Sequence, residues 1–308
     1  MKVAFQFPGQ GSQVVGMGAS LADAFPEARE VFQQADELLG FELSRLCWEG
    51  PESELRDTEN AQPALLVHGV ACARVLISGG VRPDLAAGHS LGEFTAHVTA
   101  GSLSFGDALE LVRVRSKAMA RAGQERPGTM AAVIGLREAE VERLCEEVRQ
   151  DGETLVPANF NSPGQVVVSG SIEAVRRAVV EARTRGARMA VELQVSGAFH
   201  SPLMAAAEAP LAEALAEVEV RRTEIPVLAN VDARPVTEPE AIRSRLIEQV
   251  TGAVRWTQCV EALRDLGARR LIEPGPGNVL TGLLKRIDRS LDGLAAGTAA
   301  QVEEVLAS

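Results

Sequence analysis

Residues 2–7, Lys-Val-Ala-Phe-Gln-Phe, form a short apolar run that stops at Pro8 and the turn Gly9-Gln10-Gly11, the pattern of a buried strand entering a tight loop. Apolar residues at helical spacing predict helices over 27–39, between Pro26 and Gly40, and over 61–78, ended by Gly79-Gly80. Leu85-Ala86-Ala87-Gly88 reads as a second short strand. It runs into His89-Ser90-Leu91-Gly92 and a helical pattern reaching about Ala100. A further helix over 105–123 carries Arg113, Arg115, Lys117 and Arg121.

The rhythm then changes. Met130–Ile134 reads as a strand, 137–150 as a helix, Thr154–Pro157 and Val166–Ser169 as strands, 172–185 as a helix and Met189–Leu193 as a strand. That β-α-β-β-α-β order is the split βαβ of a ferredoxin-like unit. It is expected to be an insertion, 128–195, in an α/β body made of 1–127 and 196–308. The body resumes with a helix after Pro202, a strand at Val227–Val231, helices near 239–250 and 257–266, and a strand at Arg270–Glu273. Pro274-Gly275-Pro276-Gly277 then turns into a last helix whose exposed end holds Lys285, Arg286 and Arg289. With 308 residues, one interrupted domain and two modest ones are both open.

Composition narrows the function classes. A hydrophobic fraction of 46% beside 24% charged residues is that of a packed globular chain. The net charge of −11 excludes general attraction to nucleic acid, and an acidic protein partner would need a local basic patch. No apolar run reaches the roughly 20 residues of a membrane helix, and Met1-Lys2 leads into a strand without a signal-peptide core. The expectation is a cytoplasmic protein that does not engage a membrane. Cys47, Cys72, Cys145 and Cys259 lack CxxC spacing, so isolated buried thiols are expected, and neither a metal nor a cofactor.

The chemistry concentrates around Ser90. Gly88-His89-Ser90-Leu91-Gly92 fits a G-x-S-x-G elbow, with a strand before it and a helix after it, so that the Leu91 N–H lies where an oxyanion would form. An ordinary glycine-flanked helix-capping serine is the bland alternative. A nucleophilic serine needs a base within roughly 2.6–3.2 Å. His68 lies in an apolar helix, His89 points away if the turn is tight, and His97 is too far along the following helix to fold back. That leaves His200, where the chain returns from the inserted unit, although no aspartate stands out to orient it. Arg115, if buried and facing Ser90, would clamp a carboxylate on the acyl group. Spacing alone equally allows Arg113, Arg115, Lys117 and Arg121 to form a solvated helix face. Gln10, just after the first strand, occupies the place of a second oxyanion N–H. A dinucleotide loop there fails because Val14 stands where a third glycine is needed.

Six collinear segments resemble the malonyl-CoA:acyl-carrier-protein transacylase family: Phe7–Gln13, Gly88–Glu93, Arg115–Met119, Ala158–Gln165, Gly197–Ser201 and Glu273–Gly277. The resemblance implies a hydrolase-like α/β body with a parallel-sheet core and the inserted ferredoxin-like unit. It implies Ser90 as the acylated nucleophile, His200 as base and acid, the N–H groups of Gln10 and Leu91 as oxyanion hole, and Arg115 as carboxylate clamp. It further implies that the Gln249 backbone carbonyl orients the histidine and that Asn161 lies near the acyl pocket. Phe199 before His200 resembles the malonyl-selecting form of related polyketide acyltransferases. Ser116 and Ala120 depart from the family's usual glycine and glutamine, which touches pocket shape more than chemistry.

The implied activity is ping-pong transfer of malonyl from malonyl-CoA, through acyl-Ser90, to the phosphopantetheine thiol of an acyl carrier protein for fatty acid or polyketide synthesis. The implied enzyme is a monomer that needs no cofactor. Two rivals are a thioester hydrolase using the same serine and histidine, and a non-catalytic carrier-docking protein. A cation in the pocket gives a hydrolase of varied acyl chains no advantage, so malonyl preference favours transfer. Lys285, Arg286 and Arg289 suit either carrier docking or a plain solvated helix end.

Overall fold

The computed structural model describes residues 2–308, and these build two sheets. The larger contains β1 (Lys2–Phe7), β2 (Leu85–Gly88), β7 (Val227–Leu228), β8 (Pro235–Val236), β9 (Ala268–Glu273) and β10 (Asp292–Ala295). Its order is β10-β9-β1-β2-β7-β8, parallel except for the β7–β8 hairpin. Strand β1 is central and buried on both faces. Phe5 and Phe7 point into one core while Ala4 points into another with Leu85, Leu271 and Trp256. Burial on both sides is why Val3, Ala4 and Phe5 of β1 and Leu85, Ala86 and Ala87 of β2 are apolar without a break rather than alternating with polar residues.

The smaller sheet contains β3 (Gly128–Ile134), β4 (Leu155–Ser162), β5 (Gln165–Ser171) and β6 (Met189–Glu192), in the antiparallel order β4-β5-β3-β6. The helices Glu138–Val148 and Ile172–Thr184 pack on it, as the split βαβ reading requires. Its two faces follow the two-residue period of a strand. Val166 and Val168 join Leu144 and Val175 in a core under the helices, whereas Val167 and Met130 turn the other way into the main core of the body. That second face makes one wall of the site.

The helix Thr58–Ser78 packs on the helices Pro26–Leu39 and Phe105–Glu125. Contrary to the expectation of no membrane-length apolar run, it has 21 residues and a mean hydropathy of 1.3 over its most apolar window. Its apolar residues are spent inside the protein, since 83% of that window is buried. The helix Phe105–Glu125 starts at Ser104, whose Oγ accepts the Asp107 N–H at 3.1 Å, a cap of about 1 kcal/mol.

Several elements differ from the sequence reading, among them β4, which runs on past the expected end at Pro157 to Ser162. Strand β7 stops at Leu228 rather than Val231, because the chain reverses there: the Ala229 N–H donates to the Arg234 carbonyl and Ala233 adopts φ 56°. The segment after Pro202 opens as a 3-10 turn, Pro202–Ala207, before the α-helix Glu208–Glu217. Beyond the predicted last helix, Val279–Ile287, lie β10 and a helix Ala299–Ala307 capped reciprocally by Thr298 and Gln301. Lys285, Arg286 and Arg289 are exposed.

Candidate active site

Both glycines of the elbow are required by contact. A Cβ on Gly88 would lie 1.8 Å from the Gly92 carbonyl carbon, and one on Gly92 would lie 2.1 Å from the Phe7 oxygen. Only glycine lets the end of β2, the turn and the helix Gly92–Thr99 close onto β1. Ser90 sits at the apex with φ 52°, a left-handed conformation that costs about 1–3 kcal/mol for a residue with a side chain. Asn230 holds it there. Its Oδ1 accepts the Ser90 N–H at 2.7 Å and its Nδ2 donates to the Gly88 carbonyl at 2.7 Å.

His200 approaches from the other side, with Nε2 2.7 Å from Ser90 Oγ. Its Nδ1 faces two backbone carbonyls, Gln249 at 2.9 Å and Gly252 at 3.1 Å. Carbonyls only accept, so the ring proton belongs on Nδ1, and Nε2 offers its lone pair to the serine hydroxyl. His200 is also left-handed, with φ 57°. Burial, with the Arg115 and His89 charges adding to it, pulls its pKa down to about 3, so the imidazole is neutral at ordinary pH.

Of the four cations on the helix Phe105–Glu125, Lys117 and Arg121 are exposed, Arg113 pairs with Glu110, and Arg115 is 1% exposed. The solvated-face alternative therefore fails at Arg115. Its Nη1 donates to Gln62 Oε1 at 2.6 Å, and its Nη2 to Ser90 Oγ at 3.1 Å and Gln249 Oε1 at 3.0 Å. The guanidinium lies 5.6 Å over the Phe94 ring, and its Nε donates to nothing among the described residues. Burial lowers its pKa to about 10, which leaves it charged at neutral pH.

Around these three side chains lies a cavity of about 410 Å³ between the two sheets. Gln10, Leu91, Asn161 and Phe199 line it from the positions named in the sequence, and Met130 and Val167 close it from the smaller sheet. The backbone N–H groups of Gln10 and Leu91 donate to nothing among the described residues. The Gln10 side chain is turned to Thr58 Oγ1 at 3.1 Å. His89 does not point clear of the site. It forms part of the cavity wall, with Nε2 2.8 Å from Asn161 Oδ1, while His200 occupies the hydrogen-bonding position at Ser90. His97 bonds Ser102 Oγ and His68 the Gly297 carbonyl, both in the core.

Three residues at the centre were not singled out from the sequence: Gln62, Glu93 and Asn230. Gln62 carries a faint signal, a polar residue within the buried and mainly apolar stretch 61–73. Glu93 follows the elbow directly and is fully buried, which pushes its carboxyl up to about 8. Asn230 lies 140 residues from Ser90 in a loop without motif.

Residues 4–303 match the family model described as acyl transferase domain. The chain is 46% identical over 293 residues to malonyl CoA-acyl carrier protein transacylase of Escherichia coli (strain K12), covering 95% of this chain and 94% of that protein. The solved malonyl CoA-acyl carrier protein transacylase of Coxiella burnetii matches with a TM-score of 0.96 at 41% identity, over 100% of this chain and 97% of that one. A type II PKS acyl-carrier protein in complex with its malonyl-transacylase matches with a TM-score of 0.97 at 44% identity, over 100% and 99%. With the family model spanning nearly the whole sequence and the fold agreeing from end to end, the chain belongs to the acyl transferase domain family.

Proposed function

We propose that this enzyme transfers malonyl from malonyl-CoA to the phosphopantetheine thiol of an acyl carrier protein through an acyl-Ser90 intermediate. The observation that carries the reading is a single atom: Ser90 Oγ lies 2.7 Å from His200 Nε2 and 3.1 Å from Arg115 Nη2. Nucleophile, base and a buried cation meet there. His200 takes the Ser90 proton as Oγ attacks the thioester carbonyl, and the free N–H groups of Gln10 and Leu91 receive the oxyanion. The Gln249 carbonyl supports the imidazolium through Nδ1–H. When the C–S bond breaks, His200 returns the proton to the CoA thiolate. The carrier thiol then gives its proton to His200, attacks the acyl-serine, and Ser90 leaves as the hydroxyl.

Arg115 supplies the selectivity. Its partners at Gln62 and Gln249 are neutral amide oxygens, so the charge remains available to the malonyl carboxylate. Phe199 and the His89–Asn161 pair narrow the pocket around the acyl carbon. The names of the relatives reported above, each a malonyl transacylase, do not favour the hydrolase. The same reading has a monomer acting in the cytoplasm without a cofactor, in two units divided at 128–195, and engaging neither a membrane nor nucleic acid.

Brief mixing with malonyl-CoA followed by intact-protein mass measurement tests the proposal. Wild type is expected to gain a malonyl mass that a phosphopantetheinylated carrier then removes. Ser90→Ala gains none, and Arg115→Ala loses malonyl loading far more than acetyl loading. Free malonate released without any adduct, or an adduct that the carrier leaves in place, would overturn the transfer reading.

A further inference from the structure

We propose that Glu93 is a positioning residue: it fixes which way the Gln249 side-chain amide faces, and through that amide it holds Arg115 in the orientation that selects malonyl. The inference rests on the transfer reading above and deepens it. Gln249 Nε2 donates to Glu93 Oε2 at 2.7 Å and to the Ser90 carbonyl at 2.9 Å. This leaves Oε1 facing Arg115 Nη2 at 3.0 Å. Rotating the amide would set an oxygen against both the carboxylate and the Ser90 carbonyl, and an NH2 against the guanidinium, so every contact would meet its like.

Glu93 itself cannot swing away. It is fully buried, and Oε2 also accepts the Asn230 backbone N–H at 3.0 Å. Oε1 has no partner among the described residues, so the whole hydrogen-bonding role falls on Oε2. That oxygen accepts whether or not Oε1 carries a proton, so the orientation does not depend on the charge of the group. The separation matters too. With one amide between them, Glu93 steers the guanidinium without forming the direct ion pair that would compete with a substrate carboxylate.

The test compares rates of Ser90 acylation by malonyl-CoA and by acetyl-CoA, read by rapid mixing and intact mass. Acetyl has no carboxylate for Arg115. Glu93→Met removes the acceptor, and the malonyl-to-acetyl rate ratio is expected to fall roughly 10–100-fold, as for a lost hydrogen bond to a charged group. Glu93→Gln restores an acceptor oxygen at the same place and is expected to recover most of the ratio. Gln249→Met, which keeps the backbone carbonyl on His200, cuts the same link from its other end, and Glu93→Met added to it should lower the ratio no further. An unchanged ratio in Glu93→Met, an equal fall in both rates, or Glu93→Gln failing as badly as Glu93→Met would overturn the proposal. If Glu93→Met does not fold, an unchanged ratio in Gln249→Met overturns it. A wild type that never forms malonyl-Ser90 would remove the transfer reading itself, a different failure from normal acylation with an insensitive ratio.

Discussion

Asn230→Ala should damage the chemistry and the fold together, by an amount the geometry sets. The side chain makes two hydrogen bonds of 2.7 Å, one from the N–H of Ser90, which is held at φ 52°, and one to the Gly88 carbonyl two residues before it. Each is worth about 1 kcal/mol net, and leaving the Gly88 carbonyl and the Ser90 N–H without partners adds a penalty, so the loss should total about 2–4 kcal/mol. At about 2 °C per kcal/mol for a chain of this size, the melting temperature should fall by roughly 4–8 °C. The elbow is where this loss acts. Released to relax from its left-handed conformation, Ser90 carries Oγ away from His200 Nε2. If half of the lost energy appears in the acylation barrier, malonyl-Ser90 should form roughly 10-fold more slowly, since about 1.4 kcal/mol is a factor of ten. Asn230→Asp offers a sharper comparison, because it still accepts the Ser90 N–H but turns a second acceptor on the Gly88 carbonyl. Its defect should shrink as the pH falls and the new carboxyl takes a proton to donate. Rapid-mixing mass measurements report the rate and thermal unfolding the stability. Acylation by Asn230→Ala within about twofold of wild type would refute the claim that this side chain holds the nucleophile.

Burial lowers the His200 pKa to about 3, so the acylation rate should stay near its plateau as the pH drops to about 5, where an exposed imidazole would already be protonated. A rate that halves near 6.5 would contradict this. Burial also holds His68 at about 4 and His97 at about 3, below their unfolded values. Their stabilisation is therefore complete above about pH 6.5 and is lost as the pH falls through that window, because the unfolded chain takes protons first. His97→Asn should flatten the dependence of stability on pH between about 6.5 and 4, and an unchanged slope would sink the argument. Gly92→Ala should abolish acylation, with its Cβ 2.1 Å from the Phe7 oxygen, whereas Gly282→Ala in the helix Val279–Ile287 meets nothing within 4 Å. The second change should raise stability by about 0.5–1 kcal/mol in denaturant unfolding.

Much of this was legible because of how each element signals itself. Strand β1 is a mostly apolar run that stops at Pro8, and the elbow announces itself through glycines where any Cβ would collide with backbone. The split βαβ showed as a change of period, with Val167 and its neighbours Val166 and Val168 pointing to opposite faces. What escaped was short or remote. Strand β10, Asp-Gly-Leu-Ala, has too little pattern to read alone and forms by pairing with β9. Burial of Arg115 could not be read from its own helix, where three other cations follow the same spacing to the surface; Gln62, Gln249 and Phe94 on other segments create the inward environment.

The groups that orient the three reacting side chains share a location and a mode of action. The segment from Asn230 to Gly252 holds Ser90 through an amide, His200 through two backbone carbonyls and Arg115 through another amide. Carbonyls and amides have no motif, which is why no orienting aspartate could be found for His200. The choice of a carbonyl also has a chemical reason. An aspartate at Nδ1 would fix the tautomer equally well, but it would set a permanent anion beside a cavity whose proposed cargo ends in a carboxylate, and Coulomb repulsion is strong where solvent is scarce. The Gln249 and Gly252 carbonyls orient the ring without that charge. Where a carboxyl does occur, at Glu93, an amide stands between it and Arg115. Orientation by neutral dipoles around one unneutralised cation is the arrangement a pocket for an anionic acyl group requires.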